Sequence, residues 1–190
     1  MMEFFDVVKK RRAVRQYKSD AVKKEDILKI LDAANWAPSG KNLQQWEFIV
    51  VSGEKKVQLG KSYGEIGKVY AADWEKPERD AFVQYASTYG GAPYVIVVLT
   101  EVSDIPGIYK MNLESASAAM ENLVLAARNL GLGTCWMTGP IQDEATIRQI
   151  LDISDTQEIV AVTPLGYPVE FPPALPRLDP ELQHKVRWLE

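Results

Sequence analysis

The chain has 190 residues, 46% hydrophobic and 25% charged, a length and composition that predict one globular domain and exclude a disordered or fibrous chain. Its net charge of -4 excludes a general attraction to nucleic acid or anionic membranes, so any anion site must be local. Its only cysteine, Cys135, and its only histidine, His184, exclude an intrachain disulfide and a Cys/His zinc cluster within one chain.

The scarcity of histidine and cysteine also limits the catalytic mechanisms that the chain could use. His184 lies in a Pro-rich tail, which disfavours a nucleophilic mechanism that depends on histidine. If the protein is an enzyme, we therefore expect an organic cofactor to carry its chemistry. Acidic residues near the start, Glu3 and Asp6, do not fit a signal peptide, and no apolar run reaches transmembrane length, so we expect a cytoplasmic protein.

Hydrophobic periodicity and turn residues predict a series of helices and strands. In chain order they are a helix over 3–10, a helix from an N-cap at Ser19 or Asp20 to Trp36, a strand over 46–51, a helix over 54–63, a helical excursion or lid over 64–91, a strand over 93–100, a helix over 109–130, a strand over 134–137, a helix over 143–151, a strand over 158–165 and an extended tail over 167–190.

Two of these elements should form the interior. The strand over 93–100 is an unbroken apolar run, which predicts burial on both of its faces. The helix over 109–130 is apolar around much of its circumference and rich in Ala and Ser, so its backbone can approach another element closely. Because helices and strands do not alternate regularly, we predict an α+β fold.

Several polar segments are candidates for ligand binding. Arg11, Arg12 and Arg15 form a guanidinium cluster that matches a phosphate, although a solvated charged face would look the same. No Gly-rich dinucleotide or phosphate motif follows a strand, so a nucleotide phosphate would have to meet side chains. Arg177, among prolines, would close over an anion or simply keep the tail soluble.

Two turns offer polar groups of a different kind. The segment 38–46 supplies Asn and Gln amides that could read the edge of a heteroaromatic ring, or it is only a helix stop followed by a polar turn. Thr138 and Gly139 could direct backbone N–H groups at a ligand, or form only a tight turn.

The order and spacing of four blocks are more specific than any block alone. They are Arg11 to Arg15 before Tyr17, Ala37 to Trp46, Asn122 to Gly133 followed by Trp136 to Gly139, and Gly166-Tyr167-Pro168 with Arg177. In these blocks the chain resembles the nitroreductase family of FMN enzymes. Ala13 stands where the family usually has Ser, and Gln45 stands where it usually has Pro, which would loosen the loop. Residues 64–91 align with no block.

The resemblance implies a nitroreductase-like fold, a central and mainly antiparallel sheet flanked by helices, in an intertwined homodimer with one FMN-binding domain over 1–190. It places Arg11, Arg12 and Arg177 on the FMN phosphate, Ala13 at backbone contacts and Arg15 near the pyrimidine edge of the flavin. It places a backbone N–H of Thr138 or Gly139 against flavin N5. From the second subunit, the cofactor contacts would come from Pro38, Ser39, Gly40 and Asn42, with Gln44 nearby.

The resemblance also implies a reaction. NADH or NADPH would reduce FMN and leave, and a small electron-poor acceptor, such as a nitroaromatic or a quinone, would then take the electrons in a ping-pong cycle, with no catalytic protein residue and no metal. The family also covers reductive dehalogenation, enoate reduction and flavin fragmentation. A flavin-binding sensor or storage protein, and a non-catalytic interaction domain with surface arginines, are the alternatives from other classes. Neither a nucleic acid nor a membrane is expected as a partner.

Overall fold

The computed structural model describes residues 2–189, which form helices packed on both faces of a four-stranded sheet. The helices are α1 (Phe4–Lys10), α2 (Lys24–Asn35), α3 (Gly53–Tyr70), α4 (Lys76–Thr88), α5 (Pro106–Asn129) and α6 (Glu144–Leu151), and the strands are β1 (Trp46–Val51), β2 (Tyr94–Glu101), β3 (Gly133–Thr134) and β4 (Gln157–Gly166). The strand order is β1-β2-β4-β3 and every pair is antiparallel, which confirms the predicted α+β fold with an antiparallel sheet flanked by helices.

The central strand β2 divides the core into two layers. Ile96 and Val98 pack with α2 and α5, whereas Val95, Val97 and Leu99 pack with α3, α4 and α6. The alternation follows from the two-residue period of a strand. All five side chains are fully buried, so the prediction of burial on both faces is confirmed.

The long helix α5 ends at the predicted glycine. Gly131 has a φ of 76°, and its N–H donates to the carbonyl of Arg128 over 3.1 Å while that of Leu132 donates to the carbonyl of Ala127 over 2.9 Å. This is the Schellman pattern, which a glycine adopts without steric cost. The helix begins at Pro106, three residues before the predicted start, because proline is well tolerated in the first turn.

The predicted start of the second helix was wrong. Neither Ser19 nor Asp20 is an N-cap, because α2 begins at Lys24. The preceding segment pairs with the chain after β4 instead: the N–H of Lys18 donates to the carbonyl of Tyr167 over 2.8 Å. Val22 is buried against the core, so the chain remains extended until that side chain is in place.

The helix α3 extends seven residues beyond the predicted end at 63, through glycines that resemble turn signals. A Cβ on Gly60 would lie 2.2 Å from the carbonyl oxygen of Ser87, and one on Gly67 would lie 3.2 Å from Cβ of Ala86. The glycines therefore form a flat face on which α4 packs closely. The region over 64–91 is the second half of α3, the helix α4 and a short 3-10 turn at Tyr89–Gly91.

The predicted strand over 134–137 is shorter than expected. Regular pairing with β4 covers Gly133–Thr134, and Met137 alone forms a further isolated bridge with Val162. Beyond Pro168 the tail contains no helix or strand up to residue 189. No helix within residues 2–189 is long and apolar enough to cross a membrane.

Candidate functional site

A cleft of about 730 Å³ lies between the segment after α1 and the C-terminal tail. Arg11, Arg12 and Arg15 line it from one side, and Arg177 lines it from the tail, together with the backbone region of Ala13 and the prolines 172 and 173. The fold thus brings together predicted phosphate-binding residues from opposite ends of the chain. We call this cavity the basic cleft.

The segment that carries the arginines is fixed against the sheet. The N–H of Val14 donates to the carbonyl of Thr134 over 2.9 Å, and Ala13 forms a parallel bridge with Thr134. Val14 is buried against Gly133, where a Cβ would lie 2.9 Å from the valine side chain. Because side chains alternate along extended backbone, burial of Val14 leaves Arg15 exposed on the opposite side.

The basic cleft is electrostatically unbalanced. Within residues 2–189, none of the four cleft arginines lies within 4.0 Å of a carboxylate. The Nη1 of Arg12 donates to the carbonyls of Lys9 and Arg11, over 2.7 and 2.6 Å, whereas its Nε is buried without a partner among the described residues. Glu121 is near enough for the charge of Arg11 to lower its pKa, although burial raises that pKa more strongly. Clustered guanidinium groups that form no close ion pair are suited to an anion with several acceptor oxygens, such as a phosphate.

Arg128, at the end of α5, supports both walls of the cleft and was missed from the sequence. Its Nε donates to the carbonyl of Lys10 over 3.0 Å, and its guanidinium lies 3.7 Å from the ring centroid of Phe171. Burial and the nearby charge of Arg12 lower the pKa of Arg128. A basic residue in the last turn of a helix was the available sequence signal, but it usually reflects only the helix dipole.

The turn at Thr138 and Gly139 presents unpaired backbone donors. Neither of their N–H groups donates to another group within the part of the chain that is described, and Thr138 is exposed. The ring of Tyr63 lies behind the turn, where a Cβ on Gly139 would be 3.3 Å from its edge. A ligand on the open side of this turn would meet donors that are already oriented.

Tyrosines behind the turn form an uncharged wall. The hydroxyl of Tyr85 donates to the sulfur of Met137 over 3.3 Å, and Tyr63 packs edge to face with Tyr85. Burial, followed by proximity to Cys135, raises the pKa of both tyrosines. Burial likewise raises the pKa of the Cys135 thiol. These groups therefore remain protonated and place no negative charge near the turn.

The loop over 38–44 is strained and exposed. Lys41, Asn42 and Gln44 have φ values of 55°, 56° and 52°, a left-handed conformation that costs a non-glycine residue about 1–2 kcal/mol. The N–H of Gly40 donates to the hydroxyl of Ser115 in α5 over 3.2 Å. A Cβ on Gly40 would lie only 2.1 Å from the sulfur of Met111, so glycine lets the loop approach α5 this closely.

The structure does not bring this loop to the basic cleft of the same chain. Predicted site residues Pro38, Ser39, Gly40, Asn42 and Gln44 are all outside the cleft lining. The expectation that Gln45 loosens the loop was wrong. Its side chain is buried and donates to Oδ1 of Asn112 over 2.5 Å, so it ties the loop to α5.

No group of three or more His, Cys, Asp or Glu residues within residues 2–189 could hold a metal ion. The basic cleft offers guanidinium groups, which bind anions, and the turn at Thr138 and Gly139 offers backbone donors, which bind the polar edges of ring systems. Like the 38–44 loop, Thr138 and Gly139 are outside the lining of the basic cleft.

Two relatives of known name are similar to most of this chain. A relative from Methanothermobacter thermautotrophicus, provisionally named NADH dehydrogenase/NAD(P)H nitroreductase, is 33% identical over 98% of this chain and 88% of its own length. Iodotyrosine deiodinase of Thermotoga neapolitana is 30% identical over 93% of this chain and 95% of its own.

A crystal structure of oxidized iodotyrosine deiodinase, bound to FMN and 3-iodo-L-tyrosine, superposes with a TM-score of 0.77 at 27% identity. The superposition covers 92% of this chain and 95% of that one. The profile described as Nitroreductase family matches residues 8–167. A match of this extent, with relatives this similar, shows that the chain belongs to the nitroreductase family.

Proposed function

We propose that this protein is an FMN-dependent oxidoreductase that passes electrons from NADH or NADPH to a small electron-poor organic acceptor. The observation that carries the proposal is the basic cleft, in which four guanidinium groups converge with no carboxylate within 4.0 Å among residues 2–189. Unpaired charges of one sign are costly to hold together unless an anion binds between them.

The residues present fit FMN. Arg11, Arg12 and Arg177 would hold its phosphate, since all three line the basic cleft. Bound FMN would supply a ring that accepts a hydride and later releases electrons to an acceptor. Arg15 would stabilise the negative charge that accompanies reduction, and the N–H groups of Thr138 and Gly139 would donate to the polar edge of the ring.

We further propose that two copies of the chain build each site. The tail and α1 leave large apolar side chains in solvent: Leu178 is 100% exposed, Leu175 85% and Phe5 73%. The helix α5 also has a partly open stripe of small residues that includes Ser117 and Ala118. A second copy packed on these surfaces would bury them and would bring its own 38–44 loop to the cofactor.

Electron donor and acceptor are proposed from similarity. A relative whose name includes NAD(P)H nitroreductase supports a reduced nicotinamide as donor and a nitroaromatic as acceptor. A quinone is a second acceptor of the same electron-poor class. Relatives named iodotyrosine deiodinase, and a structural neighbour bound to 3-iodo-L-tyrosine, support a second candidate, the reductive removal of halide from an aromatic ring. Both reactions need the same reduced cofactor and differ in the acceptor.

Visible absorbance tests the proposal first. Purified protein should carry flavin or acquire it from added FMN, and under anaerobic conditions NADH or NADPH should bleach the oxidised flavin band. Reoxidation by a nitroaromatic, a quinone or an iodinated phenol then separates the two candidate reactions. Protein that does not bind added FMN would contradict both candidate reactions. Bound flavin that neither nucleotide reduces would favour a sensor or storage role.

Removal of one arginine tests the phosphate role. Arg11→Ala should weaken FMN binding at least tenfold at low salt, and the difference from wild type should shrink as added salt screens the remaining charges. Arg79→Ala is the matched control, because Arg79 lies on α4 beside Asp80 and does not line the basic cleft. Equal FMN affinities for wild type and Arg11→Ala would contradict the assignment.

A further inference from the structure

A buried pair of amides joins the 38–44 loop to α5. Gln45, directly after the loop, is 8% exposed, and Asn112 is 3% exposed. The Nε2 of Gln45 donates to Oδ1 of Asn112 over 2.5 Å, although the residues are 67 positions apart in the chain. The hydroxyl of Thr100 lies 3.1 Å from the carbonyl of Gln45 and 3.3 Å from that of Asn112, which adds a second polar link.

The orientation of both amides follows from a single acceptor. The carbonyl of Glu101 can only accept, so it requires Nδ2 of Asn112, which lies 3.0 Å away. Oδ1 of Asn112 must then face Gln45, and because this oxygen can only accept, Gln45 must donate a hydrogen bond from Nε2. This arrangement leaves Oε1 of Gln45 buried with no partner in the described part of the chain, residues 2–189. A buried acceptor without a partner is unfavourable. The presence of Gln45 here despite its unpaired Oε1 indicates that the hydrogen bond from its Nε2 to Asn112 is needed.

The loop that Gln45 anchors has a strained backbone. Lys41, Asn42 and Gln44 are left-handed, and such backbone persists only where the surroundings determine it. The bond from Gly40 to Ser115 fixes one end of the loop to α5, and the bond from Gln45 to Asn112 fixes the other. Between these two anchors, the side chains of Asn42 and Gln44 hydrogen-bond to each other over 3.0 Å in solvent.

We infer that Gln45 and Asn112 are positioning residues for the cofactor site: their amide pair, the amide latch, holds the strained 38–44 loop in the shape that contacts the flavin ring. The inference rests on the proposed function for the flavin, but the effect on the loop can be measured without it.

Paired apolar substitutions separate positioning from stability. Gln45→Met or Asn112→Leu alone leaves buried polar groups unpaired, so each should lower the melting temperature. The double variant removes both side-chain amides, and replacement of both partners by apolar groups of similar shape can be nearly neutral. We expect the double variant to regain most of the lost melting temperature while its FMN affinity remains at least tenfold below wild type.

Hydrogen exchange of the cofactor-free protein gives an independent readout. The N–H groups of Asn42 and Leu43 donate to the carbonyls of Ser39 and Gly40 over 3.0 and 3.1 Å, so exchange at these two amides reports on the loop. Loss of the latch should accelerate their exchange at least tenfold. Gln183→Met is the matched control, since it removes an exposed glutamine amide bond to Glu181 within the C-terminal tail.

The outcomes distinguish the two proposals. Wild-type protein that does not bind FMN would contradict the proposed function, and loop exchange would still decide whether the latch acts. A double variant that recovers both melting temperature and FMN affinity would show that the amides serve stability alone. Unchanged exchange at Asn42 and Leu43 in all three variants would also overturn the inference.

Discussion

Gly90 is the position where one methyl group should disturb both the fold and the arginine segment. It has a φ of 65°, and a Cβ built on it would lie 2.1 Å from the carbonyl oxygen of Arg15. Its own carbonyl accepts the N–H of Tyr17 over 2.9 Å. In the Gly90→Ala protein, either the turn or the backbone of Arg15 must therefore move by roughly 1 Å to restore an ordinary contact.

Two other glycines allow the contributions to be measured separately. Gly53 has a φ of 58° and no atom within 4 Å of its Cβ position, so Gly53→Ala has only the left-handed penalty of about 1–2 kcal/mol. Gly107 has open space and lies in the first turn of α5, so Gly107→Ala should be neutral or stabilise by up to about 1 kcal/mol. Gly90→Ala adds overpacking of about 1–3 kcal/mol to the left-handed penalty.

Thermal unfolding at a fixed protein concentration tests this ranking. For a chain of this size, 1 kcal/mol shifts the melting temperature by about 2–4 °C, so Gly90→Ala should lie about 4–20 °C below wild type and well below Gly53→Ala. FMN titration of the same proteins should show weaker binding for Gly90→Ala alone, because the new methyl group would displace the backbone of Arg15. A Gly90→Ala protein as stable as Gly53→Ala would refute the close approach to Arg15.

Three further predictions concern the core, pH and assembly. Because burial raises its pKa, the Cys135 thiol should resist an aromatic disulfide reagent at pH 8 until the protein is unfolded, and rapid labelling of native protein would contradict this. The hydroxyl of Ser62 lowers the pKa of Asp143 through a hydrogen bond. The stability that this bond contributes is therefore present above the ordinary aspartate pKa and is lost as the pH falls through the lowered value. Ser62→Ala should lower the melting temperature more at pH 7 than at pH 3, and equal losses at the two pH values would count against the bond. Leu178→Glu should weaken the proposed dimer in sedimentation equilibrium, and an unchanged dimer would exclude the tail from the interface.

Local patterns were enough to predict most of the elements. The strand β1 occupies the predicted residues, and β2 differs from its prediction by one residue at each end. A short apolar run bounded by turn residues strongly favours a buried strand, which is why these predictions were accurate. The arginine cluster was also visible locally. Its convergence with Arg177 was expected from the resemblance, since no local pattern shows that the tail returns to the N-terminal segment.

Features created by distant contacts could not be predicted in this way. The start of α2 depends on backbone pairing of Lys18 with Tyr167, and the length of α3 depends on how closely α4 packs against its glycines. The bond between Gln45 and Asn112 likewise joins segments with no shared sequence signal. Each depends on which surfaces meet after folding, and that information is absent from any short window of sequence.

Binding of FMN compared with riboflavin tests the central claim most directly, since riboflavin has the same ring system but no phosphate. Fluorescence titration of cofactor-free wild type should show much tighter binding of FMN, and the preference should shrink in both Arg11→Ala and Arg177→Ala. Equal affinity of wild type for the two flavins, or a preference unchanged in both variants, would contradict a phosphate held by the arginines of the basic cleft.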